Sequence, residues 1–347
     1  MLPTDPSNRE RDLTKVVPLL RARLEEAGCF RRTPLRQIAS AAVELTVAVL
    51  LFVWAGRSPI WLAVPSFLLG SFFMTRLAWL LHDAAHNAVF DGERANRALA
   101  YVAGAVTGLF ASGWRWGHNK HHGATNVRGV DGDKKERWDE SIVFGSQLTA
   151  SSLFFFVKFK GVWLPRIDLL IALRDGVYCY RHARAAFRRE LIGVICGRLL
   201  LLSLFVVTYG GWGVALYFAF SFMAMIYMNA VFAGNHYDLE SFTEEQASKL
   251  SFLELQLRTT RNYTGGAITH YFCGGLEHQI EHHLFPRMPR GQFMHAEPIV
   301  RKLCTEHGLP YHELPFWKSL GQVAKFHTAS LRRTATSADT ALEDVGA

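Results

Sequence analysis

Residues 199–236 read LLLLSLFVVTYGGWGVALYFAFSFMAMIYMNAVFAGNH, without a single Asp, Glu, Lys or Arg. A membrane-crossing helix needs roughly 20 mostly apolar residues, so this run is long enough for nearly two, hinged at Gly210-Gly211. The same pattern recurs on the N-terminal side, where two apolar runs are joined by Gly56-Arg57-Ser58-Pro59, a tight turn by composition. The expected spans are therefore 38–55, 60–81, 192–209 and 212–232. Trp54, Trp61 and Trp212 sit at the turns, where an interfacial aromatic belt would place them. Those turns carry one basic residue, Arg57. The N-terminal leader (Arg9, Arg11, Lys15, Arg21, Arg23, Arg31, Arg32, Arg36) and the segment 181–189 are crowded with basic residues. The positive-inside bias then puts both termini and the long middle segment in the cytoplasm.

The chain has 347 residues, half of them hydrophobic, and a net charge of +8. Because the basic residues flank apolar runs, the charge points to a membrane partner and not to nucleic acid. The five cysteines are scattered without a CxxC, which argues against a zinc ribbon, a c-type haem and a disulfide scaffold. The first apolar run follows a long charged leader and so is not a cleavable signal. Glu44, Arg76 and Arg198 fall inside the spans and read either as functional intramembrane charges or as side chains snorkelling to the interface. Two further apolar stretches, Ala98 to Trp114 and Leu148 to Leu164, are expected to be interfacial or re-entrant. The chain divides into a cytoplasmic segment 1–37, a main unit 38–333 and a disordered tail 334–347.

Nine of the 15 histidines fall in or beside four places: His82-Asp-Ala-Ala-His86, His118-Asn-Lys-His121-His122, His236, and His278-Gln279-Ile-Glu-His282-His283. Spacings of three and four residues put side chains within about 60° of one another on a helix, so each cluster can aim several imidazoles at one point. An HxxxH pair is weak by itself, and an HxxHH triple is far more specific. The spans, drawn without reference to histidines, bring all four places to one side of the membrane. Imidazole suits Fe, Zn, Cu and Ni. Eight or nine histidines exceed the needs of one zinc, which argues for two metals. Glu-x-x-His, the motif of soluble di-iron bundles, does not occur. Asp83, Asn119, Asp238 and Glu281 are candidates to orient the rings.

With these motifs the sequence resembles the membrane fatty acid desaturase family, over about Leu80 to Tyr311. The resemblance rests on Trp114-Arg-Trp116-Gly-His118-Asn-Lys-His121-His122, Thr125-Asn126, Asp131 and Asn235-His236, and on Gly274-Gly275-Leu276-Glu-His-Gln279-Ile-Glu-His282-His283-Leu-Phe-Pro286-Arg-Met-Pro289. The QIEHHLFP string resembles the acyl-lipid and front-end branch. The family implies an all-α membrane protein of four transmembrane helices, with a cytoplasmic helical cap holding a histidine-rich di-iron site. It implies two iron ions with O2 as co-substrate, which remove two hydrogens from a fatty acyl chain on a lipid, CoA or carrier protein. Carried over by position, the iron ligands are His82, His86, His118, His121, His122, His236, His282 and His283, with Gln279 in the first place of the third box. His278 stands where the family usually has an aromatic residue. It reads as an alternative ligand, a base behind the ligands or a surface residue.

Two spans occupy most of the residues before His82, so no fused cytochrome b5 is expected there. Electrons would come from a separate carrier such as cytochrome b5 or a ferredoxin. A bacterial inner membrane is the expected location. Hydroxylation or acetylene formation on the same fold is the alternative reaction, followed by a zinc-dependent membrane receptor or hydrolase.

Overall fold

The computed structural model describes residues 6–133, 156–159, 162–165 and 168–325. The tail 334–347 and most of Leu148 to Leu164 lie outside them. Two helical hairpins build the apolar half. In the first, α2 (Pro34–Ala55) turns at 56–59 into α3 (Ile60–Arg76). In the second, α8 (Arg184–Tyr209) turns through a 3-10 segment at 210–212 into α9 (Gly213–His236). Residues 184–236 form one continuous apolar segment by composition, beside two others at 34–55 and 60–85. The chain nevertheless reverses within it. The Phe205 and Phe220 rings are 5.9 Å apart, whereas a straight helix would separate them by about 22 Å at 1.5 Å per residue.

The outer turns of the hairpins meet. A Cβ on Gly56 would fall 2.5 Å from the Thr208 side chain, and the Tyr209 hydroxyl donates to the Phe52 carbonyl at 2.9 Å. Phe52, Phe205 and Phe220 fill the space between the hairpins. The opposite surfaces carry exposed Leu50, Ile60, Trp61, Leu200, Val207 and Trp212. Apolar side chains facing outward over whole helices fit lipid and not water.

At the inner end the chain breaks at Leu77 and resumes as α4 (Ala78–Ala85), which is followed by α5 (Glu93–Thr107) and α6 (Ala111–Gly123). The apolar stretch 98–114 is thus no single span. Gly108, in the left-handed conformation (φ 71°), ends α5 and redirects the chain into α6. Next come β1 (Phe156–Phe159) and β2 (Val162–Pro165), an antiparallel pair, and α7 (Asp168–His182) against α6. Gly113 permits that contact, because a Cβ there would lie 1.7 Å from the Asp175 carbonyl oxygen.

Beyond α9 lie α10 (Glu244–Ala247), α11 (Phe252–Thr259), β3 (Arg261–Thr264), α12 (Ala267–Cys273), α13 (Gln279–Leu284), α14 (Phe293–Glu306) and β4 (His312–Pro315). β3 and β4 pair in parallel. They and the β1–β2 pair correct the all-α expectation to a predominantly helical one. An N-terminal helix, α1 (Pro6–Glu26), closes the cap by burying Leu13, Val16, Leu20 and Leu24 in one core with Val300 and Leu303 of α14.

The intramembrane charges have partners within the protein. Arg76 Nε donates to Glu44 Oε1 at 2.8 Å, with both side chains buried. Arg198 donates to the Tyr217 hydroxyl and the Gly108 carbonyl and pairs with Asp168. Neither snorkelling nor a metal role is needed to account for them.

Candidate metal centre

Four elements converge beneath the hairpins. α4 carries His82 and ends at His86; α6 presents His118, His121 and His122 one turn apart; α9 terminates at His236; and α13 supplies Gln279, His282 and His283. All eight histidines are buried. The potential ligand atoms fall into two groups, each within 4.8 Å: His82, His86, His118 and His282, and then His121, His236 and His283. His122 lies between them, 4.6 Å from the His282 ring and 4.3 Å from that of His283.

The outward ring nitrogens fix how the inward ones are protonated. His236 Nδ1 donates to the Thr259 carbonyl at 3.1 Å. His121 Nδ1 donates to both carboxylate oxygens of Asp131 at 2.9 and 3.0 Å, and His283 Nδ1 donates to Gln256 Oε1 at 2.8 Å. His118 Nδ1 bonds Asp133 at 2.6 Å and His82 Nδ1 contacts Asp83 at 3.3 Å. A neutral imidazole has one N–H, so each Nε2 is left with a lone pair. Yet the Nε2 atoms of His121 and His236 face each other at 3.3 Å, and those of His82 and His282 at 3.1 Å. Burial and neighbouring imidazoles push His86, His122, His282 and His283 well below the usual histidine range, and burial pushes His118 down to about 4. Those five rings are therefore neutral. His86 Nε2, His283 Nε2 and Gln279 Oε1 are buried without a hydrogen-bond partner among the described residues. Opposed lone pairs and stranded buried acceptors are reconciled by cations between them, so the donor set fits metal binding.

Gln279 joins the second group, its Nε2 3.3 Å from His236 Nε2. His278 turns away and contacts Glu277 and Glu297. Among the proposed orienting residues, Asp83 touches His82 and is held by Arg290 at 2.9 Å. Glu281 is buried and bonds Asn262 and Tyr311; burial raises its carboxyl to about 7. Asn262 Oδ1 in turn accepts from the Ile280 amide at 2.8 Å, which holds the start of α13. Asp238 pairs with Arg261, and Asn119 is exposed on α6.

Sequence reasoning missed Asp133, Gln256 and the Thr259 carbonyl, and gave no role to Asp131. Two acidic residues shortly after the HxxHH triple were the available signal. Gln256 lies 134 residues from His122, whose carbonyl it binds, and left no local trace. A cavity of about 230 Å³ runs from His118, His121, His236 and Gln279 into the apolar bundle, past Met74, Leu201, Phe220 and Ala224.

Fold and site together define a helical membrane protein with a buried, metal-ready histidine centre. The Fatty acid desaturase family profile matches residues 58–315, and the chain belongs to that family. It is 25% identical to the Delta(5) fatty acid desaturase fat-4 of Caenorhabditis elegans, over 94% of this chain and 77% of that one. It is 28% identical to the Delta(8)-fatty-acid desaturase of Euglena gracilis, over 84% and 73%. It is 30% identical to the Acyl-lipid 8-desaturase of Rebecca salina, over 83% and 68%. The chain is accordingly a fatty acid desaturase, an oxidoreductase of lipid metabolism. These relatives are eukaryotic and lend no support to a bacterial inner membrane.

Proposed function

We propose that the chain is an O2-dependent acyl-lipid desaturase with two iron ions. One would be held by His82, His86, His118 and His282, the other by His121, His236 and His283 with Gln279, and His122 would lie within reach of either. The convergence of these buried ligand atoms into two groups, each within 4.8 Å, carries this reading. When bound, the irons supply the redox chemistry with O2 that removes hydrogen from an unactivated carbon. Asp131, Asp133, Gln256 and the Thr259 carbonyl orient the imidazoles and keep their inward nitrogens deprotonated. The cavity beside Gln279 accepts the apolar chain, aligns it along the second group and excludes water through Met74, Phe220 and Ala224. Three relatives are named as acyl-lipid desaturases, which favours a lipid-borne chain.

The desaturase unit would span 38–333, with α2, α3, α8 and α9 as four crossings and the cap in the cytoplasm. Electrons would come from a separate carrier such as cytochrome b5 or a ferredoxin. Its docking would be favoured by the exposed basic cleft of Arg97, Arg115, Arg184 and Arg189 on the outer face of α6. Lipids of a host expressing the chain, analysed by mass spectrometry with double-bond localisation, should gain one new double bond at a defined position. A hydroxylated product or an unchanged lipid profile would overturn the assignment.

A further inference from the structure

A third cluster lies outside the two imidazole groups, between α12 and α13. His270, Glu277 and His278 bring one ligand atom each to within 4.8 Å of one another. His270 Nδ1 contacts Glu277 Oε1, and His278 Nε2 lies 3.4 Å from the same oxygen. Glu277 and His278 are only 4% and 8% exposed, whereas His270 is partly open to solvent.

A proton shared by His270 and Glu277 accounts for one of these contacts and leaves the rest stranded. Glu277 Oε2 and His278 Nδ1 are both buried without a hydrogen bond among the described residues. His278 Nδ1 lies 3.6 Å from Glu297 Oε2, too far for one. The nearby cations are engaged elsewhere, Arg290 with Asp83 and Arg301 with Glu297 and Glu313. They do not neutralise the Glu277 carboxylate.

Two imidazoles and a carboxylate, with a fourth position open to water, form a recurrent zinc ligand set. The 3.4 Å between His278 Nε2 and Glu277 Oε1 is near the roughly 3.3 Å that bonds of about 2.0–2.1 Å set between neighbouring donors of a tetrahedral site, and His270, now in direct contact with Glu277, would part from it to admit the ion. We propose that His270, Glu277 and His278 form a third, mononuclear site for a zinc-like divalent cation, separate from the desaturase centre. It would fix α12 to the loop that enters α13, one residue ahead of Gln279. The site depends on no reading of the reaction.

The test is metal content of the full chain in lipid nanodiscs, iron-loaded and then equilibrated with zinc and washed, read by mass spectrometry and zinc-edge absorption. Wild type should hold one equivalent of zinc with mixed nitrogen and oxygen ligands. His270→Ala should lose that equivalent at unchanged iron; His270→Gln, which keeps a polar side chain, serves if the alanine variant does not purify. Zinc should also raise the unfolding temperature of wild type and not of the variant. Wild type that retains no zinc, or a His270 variant that retains it, would overturn the proposal. Zinc gained in wild type at the expense of iron would mean that zinc has entered the imidazole groups, and would also overturn the proposal.

Discussion

The apolar bundle and the cap below it both bury strongly polar groups, and they handle them in opposite ways. In the bundle, Arg76 meets Glu44 at 2.8 Å, stacks on the Tyr271 ring at 4.1 Å and donates to the Tyr271 carbonyl. That charge is fully answered by protein. In the cap, buried imidazole nitrogens converge on one another at 3.1–3.3 Å and draw their ligand atoms into two tight groups. The first arrangement is what a structural pair looks like. The second is left incomplete by the protein and calls for a ligand. Burial alone does not separate the two cases, because Arg76 and His121 are almost equally buried.

Breaking each arrangement should therefore fail in a different currency. His236→Ala and His282→Ala are expected to lose iron and activity together, by more than 100-fold, because losing even an outer hydrogen-bond partner typically costs about 10–100-fold. Iron analysis beside single-turnover activity checks this, and an active His282→Ala enzyme would contradict it. Glu44→Ala should do the reverse. Leaving Arg76 buried without its counter-charge costs about 3–5 kcal/mol, seen as a lower unfolding midpoint in detergent, while iron per folded chain stays at the wild-type value.

Finer changes sharpen the contrast within the cap. Asp131→Asn removes the anionic partner of His121 and should weaken iron retention against a chelator by about 10–100-fold. Gln256→Ala removes a neutral partner of His283 and should fall at the low end of that range. Smallest of all, Gln279→His should keep iron and change rate or product position, and His278→Phe should leave the iron of both groups in place. If His278→Phe loses an iron and Gln279→Ala is silent, the two residues have exchanged roles.

The helices were legible because lipid-facing segments must be apolar along their whole length. The ends of α2 and α9 lie within a few residues of the expected spans. The break at Leu77 was not legible, since apolar character continues through it into α4. α8 begins eight residues earlier than its apolar run because Arg184–Arg189 continue the helix into polar surroundings. The clustering of histidines was legible from local spacing, which is set by helical periodicity. Their orienting partners were not. Gln256 and Thr259 reach the rings through tertiary folding, and nothing in their own neighbourhoods marks them, whereas Asp133 was marked only by its place shortly after the HxxHH triple. Asn119, adjacent to a ligand in sequence, is nevertheless exposed at the surface of α6.

The most direct measurement of the central claim is metal identity and stoichiometry at the two imidazole groups, by Mössbauer spectroscopy and elemental analysis of iron-57-grown protein. The account predicts about two irons per chain in inequivalent environments, one all-imidazole and one with an amide neighbour, and loss of the second environment in His121→Ala. A single iron, or irons that persist unchanged in His121→Ala, would contradict it.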